Sequence, residues 1–282
     1  MGLVEATLAA WDAIAACAAE VDPGARTRKS TAGAALAELG TWPGSRTLAQ
    51  MRADAAAGRT ALIAQPTPPE VPAQPTSAEL VAALQRSRNS LVEWLDDPAA
   101  DWQTEGLLTT PTILGPLPLL TIIHGASYQM ALVALELRPH GVTPPSHLLD
   151  TGLNALVDTT GGFAARAGVA AAITARVPGR QIGTGAQESH WCTRDLTEVP
   201  APEAGPAVIA DVATVLLATS GRADVAGLYR TGSLRVHDVP GLLHWLPVLE
   251  TVPGLPGAAT LGRAGRYLGT VSSLLSRLPF RS

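Results

Sequence analysis

The chain has 282 residues, of which 46% are hydrophobic and 16% charged, and its formal net charge is -4. This length permits one large domain or two ordinary ones, each with a buried core. The small negative charge provides no basic field for nucleic acid, so a small-molecule or protein partner is expected. Only two cysteines occur, Cys17 and Cys192, and they form no disulfide framework. This pattern favours a reducing compartment and predicts a cytoplasmic protein.

The first half of the chain is dominated by helical patterns. Apolar periodicity, caps and breakers predict helices over 3–21, 31–39, 45–64, 77–96 and 121–137. Between them, the five prolines of 65–77 predict a surface connector. The N-terminal helix is amphipathic, without the basic leader of a signal peptide. Residues 1–142 are therefore expected to form a helical bundle.

The apolar run over 117–137 is about as long as a membrane span. Polar residues interrupt it, and no companion span or basic flank would orient it in a bilayer. A central helix that is buried on all sides explains the run better, and no membrane partner is expected.

The second half of the chain mixes both kinds of secondary structure. Helices are predicted over 147–166, 206–219, 240–250 and 258–276. Strands are predicted in the segments 171–180, 188–196 and 233–238. The proline-rich segment 141–147 is the natural boundary between the two halves. The predicted fold class is α+β, mostly helical, with domains at 1–142 and 143–282.

Three segments carry a resemblance to a known family. They are LAELGTW (36–42), GPLPLLTIIHGASYQMALVALEL (115–137) and VLLATSGRADVAGLYRTGSLRVHD (215–238). In this order they resemble the mycothiol-dependent maleylpyruvate isomerase family. The resemblance implies a DinB-like four-helix bundle followed by a small α+β domain similar to sterol carrier protein type two. It also implies a divalent metal, usually zinc, held by two histidines and a glutamate, which activates the sulfur of mycothiol as a nucleophile.

The sequence departs from the family pattern at every metal ligand. Glu38 stands at the first histidine position, Gln129 at the glutamate position and Val133 at the second histidine position. Valine cannot bind a metal, and a neutral amide is a poor replacement for a carboxylate around zinc. The sequence therefore predicts that zinc is not a cofactor. Mycothiol remains the cofactor that the resemblance implies.

The apolar helix offers other polar residues for a site. His124 and Tyr128 share one face of it, and Glu38 could approach from the second helix. With Gln129 they would form a weak metal site or an acid–base site, in which Glu38, His124 and Tyr128 are the catalytic candidates. The alternative is core polarity: His124 bonded to a neighbour, the Tyr128 hydroxyl satisfied, and Gln129 joined to Glu38 in a polar network.

Substrate binding is assigned to Arg222, Gln129 and Trp42. The resemblance associates an arginine at the position of Arg222 with the carboxylates of the substrate, for which a guanidinium is well suited. The alternative is a helix C-terminal arginine that faces solvent and is favoured by the helix dipole.

The other histidines are expected to be structural. His190 and Cys192 lie two residues apart on a predicted strand, an arrangement that rarely gives a productive Cys/His angle. Asp238 is expected to cap the helix that contains His244. The apolar stretch 240–257 could line a lipid-like tunnel, or pack between domains or between subunits of a dimer.

Three functions remain open from the sequence. The first is a mycothiol-dependent isomerase or transferase by descent, metal-free and without the family activity if thiol activation is lost. The second is a non-catalytic protein that binds a small molecule in the interdomain cleft. The third is an enzyme that uses metal-independent acid–base chemistry there. A monomer or a homodimer is compatible with each of them.

Overall fold

The computed structural model describes residues 2–43, 47–61, 74–112, 115–169, 173–184, 205–245 and 248. The predicted strand at 188–196, which includes His190 and Cys192, and the predicted helix at 258–276 lie outside these residues. Most of the proline-rich connector 65–77 also lies outside them.

Five helices precede the apolar helix in the described part of the chain. They are α1 (Leu3–Glu20), α2 (Ala32–Leu39), α3 (Leu48–Ala56), α4 (Ser77–Leu95) and α5 (Trp102–Leu107). The Thr31 side chain accepts a hydrogen bond from a backbone N–H of α2, and Thr76 forms a capping box with Glu79 at the start of α4. The prediction that α3 extends to residue 64 was wrong, because the chain turns at Gly58 with a φ of 64°.

Two long helices follow a short hairpin of β1 (Thr109–Thr110) and β2 (Leu117–Pro118). They are α6 (Leu119–Leu137) and α7 (Ser146–Arg166). Gly141, with a φ of 87°, ends the 3-10 turn after α6 and lets the chain reverse. The predicted helix boundaries are confirmed here to within two residues.

Helices α1, α4, α6 and α7 pack against one another as a bundle, and α2 lies against α4 and α6. Large side chains fill the centre of the bundle, among them Trp11, Ile14, Leu36, Leu84 and Met130. Helix α6 is long and apolar enough to cross a membrane, but 72% of its most apolar window is buried inside the protein. Core packing therefore accounts for the hydrophobicity of this helix.

Helices α6 and α7 approach each other closely at a glycine. A Cβ atom on Gly152 would collide with the Ala131 side chain and would lie 3.2 Å from the Ser127 carbonyl oxygen. Only glycine permits this approach of the two backbones. The contact fixes α7 against the bundle.

The second half contains a four-stranded sheet within the described residues. Its strands are β3 (Ile173–Val177), β4 (Arg180–Thr184), β5 (Ala207–Ile209) and β6 (Arg235–His237), in the order β4-β3-β5-β6. β3 pairs with β4 antiparallel and with β5 parallel, and β5 pairs with β6 antiparallel. Short helices α8 (Val212–Thr219), α9 (Val225–Thr231) and α10 (Val239–Leu242) accompany the sheet.

Helix α7 is shared between the bundle and the sheet. Leu153 and Val157 of α7 pack with Ala175, Ile182 and Val215 in one apolar cluster. The opposite side of the helix contacts α6 and α1. The α+β, mostly helical fold class is thus confirmed.

The prediction of one helix over 206–219 was wrong at its start. Ala207–Ile209 forms a strand between β3 and β6, and the helix begins only at Val212, capped by Asp211. Val208 and Ile209 are β-branched, and their pairing on both sides outweighs local helix propensity.

Candidate functional site

The buried polar residue of α6 that the sequence selected, His124, meets an acid from α7. Nδ1 of His124 lies 3.6 Å from Oδ2 of Asp158. The exposed fraction is 1% for His124 and 0% for Asp158. Ser127, one turn further along α6, is also fully buried. The pair therefore forms a polar contact inside the α6–α7 interface, out of reach of solvent.

A small cavity lies on the side of His124 that faces α1 and α4. Its other walls are uncharged and come from Leu3, Val4, Thr7, Leu91, Trp94, Leu95, Leu120 and Ile123. Its volume of about 10 Å³ is room for about one water. A cavity of this size has no room for a larger molecule beside His124.

The structure brings Tyr128 and Arg222 together at the junction of α6 and α8. The Tyr128 hydroxyl makes a long hydrogen bond of 3.4 Å with the Thr219 hydroxyl. Burial raises the pKa of Tyr128 above its usual range, although the Thr219 hydrogen bond and the charge of Arg222 act in the opposite direction. Tyr128 is therefore a neutral phenol at physiological pH.

Arg222 is engaged by a carboxylate of the protein itself. Nη1 of Arg222 lies 2.9 Å from Oε1 of Glu136, as an ion pair whose angle is not that of a linear hydrogen bond. The side chains are only 18% and 15% exposed, so Arg222 does not face solvent freely. Arg28 adds a hydrogen bond of 2.9 Å to the Gly221 carbonyl oxygen. These contacts attach the end of α8 to the bundle.

The three positions aligned with the family metal ligands do not converge on a polar site. Val133 is 7% exposed and packs in the apolar core of the bundle. Glu38 and Gln129 are exposed, and no hydrogen bond joins them in the described part of the chain. The polar network that the sequence offered as one alternative therefore has no hydrogen bond between Glu38 and Gln129 among the described residues. Among the residues that the structure describes, no three His, Cys, Asp or Glu side chains are grouped closely enough to hold a metal ion.

Trp42, a predicted substrate-binding residue, lies at the end of α2. Its ring packs against that of Trp11 in a tilted arrangement, with centroids 5.7 Å apart and an angle of 55° between the planes. It also packs against the apolar clusters on both sides. Ser87 donates hydrogen bonds to the Trp42 and Gly40 carbonyl oxygens, which fixes the turn that carries the ring.

A groove of about 450 Å³ runs between α1 and the start of α7. Small and polar side chains line it: Ala9, Asp12, Ala13, Ala16, Cys17 and Glu20 from α1, and Thr143, Pro145 and His147 from the opposite wall. The opposite wall is the predicted boundary segment 141–147. By the sequence-based division, the groove lies between the two halves of the chain.

The ionisable side chains of the groove differ in their pairing and in their exposure to solvent. Burial and the nearby charge of Glu20 raise the pKa of the Cys17 thiol to about 11, so it is protonated and not nucleophilic at neutral pH. Asp12 is paired with Arg88 at 2.7 Å. Glu20 and His147 are exposed on the rim. The groove can therefore bind by shape and hydrogen bonding, but its thiol is not activated.

The remaining predicted residues have structural positions. Asp238 caps α10 as predicted, by accepting a hydrogen bond of 3.0 Å from the Gly241 backbone N–H. The prediction that His244 lies in the same helix was wrong, because α10 ends at Leu242 and His244 lies in the 3-10 turn that follows. His244 is exposed, and its Nδ1 lies 3.1 Å from the Gly241 carbonyl oxygen. His237 ends β6, within the predicted strand segment 233–238.

Fold and site together define a mostly helical α+β protein, with a helical bundle joined to a small mixed sheet through α7. Two solved structures align with it, the mycothiol-dependent maleylpyruvate isomerase and a mutant of that enzyme, at 13% identity and TM-scores of 0.47 and 0.46. Each alignment covers 85% of this chain and 92% of the other. No protein-family model matches the sequence. No curated protein matches it significantly either.

Sequence reasoning missed the partners of two residues that it selected. Asp158 and Glu136 are the acids that meet His124 and Arg222. Asp158 lies in the otherwise apolar and small-residue face of α7, and an acid in such a position is a signal for a buried partner.

Proposed function

We propose that the protein binds a small molecule without a bound metal, in the groove between α1 and segment 143–147. The observation behind this proposal is the size of the groove, since its volume of about 450 Å³ lies within the usual range for small-molecule sites. Its floor of small side chains leaves room for a ligand, and its rim supplies polar groups. The protein would be a divergent relative of the family that its sequence resembles.

The placement of the family ligand positions supports the metal-free part of the proposal. Val133 presents two methyl groups to an apolar core, where a charged ion would be desolvated without ligands. Glu38 and Gln129 lie on the exposed surface. Activation of a thiol by zinc at this place would need three donor side chains around one point, and Val133 supplies no donor.

The sequence resemblance makes mycothiol the first ligand to test. The test uses isothermal titration of the full chain with mycothiol and, in parallel, native mass spectrometry after incubation with a cell metabolite extract. Ala16→Trp places a large ring in the groove from an exposed position, and Ala19→Trp places the same ring on an exposed part of α1 outside it. We expect the first variant to lose ligand binding and the second to retain it.

Two outcomes would contradict the proposal. Equal binding by the two variants would move the site elsewhere on the molecule. No bound molecule in either assay would remove binding as the function. Mycothiol could fail to bind while another metabolite binds to the wild type and not to Ala16→Trp. That result would identify a different ligand and would support the groove as the binding site.

A second candidate is acid–base chemistry by His124. The observation that favours it is the position of Asp158 at Nδ1, where a carboxylate can orient an imidazole ring. A maleylpyruvate isomerase assay with mycothiol tests it, compared between wild type and His124→Ala. A bell-shaped pH–rate profile that is lost in the variant would support it, and equal rates would exclude it.

A further inference from the structure

Cations that have no carboxylate partner are concentrated at one corner of the molecule. Several arginines pair with acids elsewhere in the described residues, as Arg52 does with Glu105 and Arg88 with Asp12. Within the described ranges, no carboxylate pairs with four exposed cations that precede α2 or follow α6, namely Arg26, Arg28, Lys29 and Arg138. These four residues are called the basic corner.

Three of the four cations lie in one tight turn before α2. Arg26 and Thr31 form an antiparallel bridge, so the four residues between them reverse the direction of the chain. Arg28 and Lys29 lie at the tip of this turn. Their side chains therefore project from the surface of the bundle.

Two contacts attach the turn to other parts of the molecule. Nε2 of His140 lies 2.7 Å from the Arg26 carbonyl oxygen, and His140 shares a 3-10 turn with Arg138. The Arg28 guanidinium donates a hydrogen bond of 2.9 Å to the Gly221 carbonyl oxygen. The basic corner is thus assembled from two turns and held in place by the fold.

The acids around the basic corner do not neutralise it. Glu136, on the last turn of α6, pairs with Arg222 at 2.9 Å. The Asp22 carboxylate accepts a hydrogen bond of 2.9 Å from the Gly24 backbone N–H. Without the four cations the formal charge of the chain would be -8, compared with -4 for the whole. The basic corner is therefore a local positive field on a negatively charged protein.

The shape and the number of charges select the kind of partner. Small-molecule sites are concave, whereas the tip of a turn projects. Proteins that bind duplex nucleic acid commonly contact about six to ten phosphates, more than four cations can reach. Stable membrane attachment needs an apolar or lipid anchor beside the charges, and the turn Thr-Arg-Lys-Ser over 27–30 supplies none.

Carboxylates of a protein fit the basic corner better than these alternatives. A guanidinium binds a carboxylate through two parallel hydrogen bonds, and an ammonium adds a point charge. We propose that the basic corner docks an acidic segment of a partner protein. This surface shares no residue with the groove between α1 and segment 143–147, so it is independent of the proposed ligand site.

The test measures binding of a fluorescein-labelled oligoglutamate peptide to the full chain by fluorescence anisotropy at low salt. The double variant Lys29→Gln, Arg138→Gln removes half of the charge of the basic corner. The matched control is Arg86→Gln, Arg235→Gln, which removes two exposed arginines of α4 and β6 that also lack a carboxylate partner in the described residues. Neither variant removes a described side-chain hydrogen bond or ion pair, so both should fold, and thermal unfolding checks this.

We expect the wild type to bind the peptide with an affinity that falls as salt is added. The Lys29, Arg138 variant should bind about three- to tenfold more weakly, and the control variant should bind as the wild type does. Equal weakening in the two variants would overturn the proposal, because any surface cation would then serve. Absence of peptide binding by the wild type would do the same.

Two further probes separate the acidic protein from the other anionic partners. A single-stranded oligonucleotide of the same length and vesicles of phosphatidylcholine with phosphatidylserine are titrated under the same conditions. Both should bind more weakly than the peptide. Tighter binding of either probe would assign the basic corner to another class of partner and so overturn the proposal.

Discussion

Oε1 of Glu136 on α6 lies 2.9 Å from Nη1 of Arg222, just after α8. The ion pair sits beside an apolar cluster that contains Leu132, Leu135 and Leu216, so charge and packing act together at this junction. Arg222 is thus committed to an internal carboxylate. A ligand carboxylate would have to share this guanidinium with Glu136 or displace it.

Arg222→Gln should lower the free energy of unfolding by about 1–2 kcal/mol, because it leaves the half-buried Glu136 without its partner. Urea unfolding at neutral pH measures the change. Arg230→Gln is the matched control, since the Arg230 side chain is 79% exposed and its contact with Asp224 is long, at 3.9 Å. Its expected effect is below about 0.5 kcal/mol. Equal effects of the two substitutions would mean that the Glu136 contact does not stabilise the junction.

Arg52 clamps α3 to α5 through a two-pronged contact with Glu105. Its Nε and Nη2 atoms donate hydrogen bonds of 2.7 and 3.1 Å to the two carboxylate oxygens. Arg52→Lys should cost about 1–2 kcal/mol of stability, because an ammonium group cannot reproduce the fork. The corresponding control is Arg59→Lys, since the Arg59 side chain is 48% exposed in its ion pair with Asp54.

The contact between Arg52 and Glu105 should also make the stability of the protein depend on pH in the acid range. The hydrogen bonds from Arg52 hold the pKa of Glu105 below its usual range. A lowered folded-state pKa gives stability that is present above the unfolded value of about 4.5 and is lost as the pH falls through the folded value. The loss on acidification should be smaller in Arg52→Lys than in the wild type. An identical acid profile in both proteins would show that the clamp does not govern the ionisation of Glu105.

The ionisation of Cys17 should make the stability of the protein depend on pH in the alkaline range. Its pKa is raised to about 11, mainly by burial, from an unfolded value near 9. Between those values the unfolded thiol is ionised and the folded thiol is not, so stability falls as the pH rises through this window, by about 2–3 kcal/mol at most. Cys17→Ala should remove this part of the alkaline loss. A thiol reagent that modifies Cys17 of the native protein rapidly at neutral pH would contradict this account.

Two glycines in neighbouring helices should respond oppositely to the same substitution. Gly152→Ala should destabilise the protein by about 1–3 kcal/mol, because the new methyl group meets Ala131 at the α6–α7 contact. At Gly125 the nearest atom to a new methyl group is the Thr159 hydroxyl oxygen, at an ordinary 3.6 Å. Gly125→Ala should therefore be neutral or stabilising by up to about 1 kcal/mol. Thermal unfolding of both variants measures the difference, and a shift of the same sign in both would contradict the described packing.

Local sequence signals were sufficient to predict the helices that have a capping residue and a clear apolar period. Thr31 and Asp238 were readable as caps because their side chains satisfy backbone donors within three residues. Ala207–Ile209 was misassigned because its state depends on pairing with β3 and β6, which are distant in sequence. The short helices α5 and α9 were missed, since neither has enough turns to show a period.

The candidate site was predictable only in part. The apolar helix revealed His124 and Tyr128 as unusual, but the partner of His124 lies on the next helix, and sequence spacing does not specify that pairing. The groove depends on how α1 meets segment 143–147, which no local pattern encodes. The sequence left open whether Glu38 meets Gln129, because the whole bundle decides which side of a helix faces solvent.

Metal content is the most direct test of the central claim that this bundle works without the family metal. The full chain is expressed with excess zinc, dialysed at neutral pH and analysed by elemental mass spectrometry, alongside the triple variant Glu38→His, Gln129→Glu, Val133→His. The wild type should retain far less than one zinc per chain, and any zinc gained by the variant would locate the family site. Stoichiometric zinc in the wild type, lost on changing Glu38 or His124, would contradict the account.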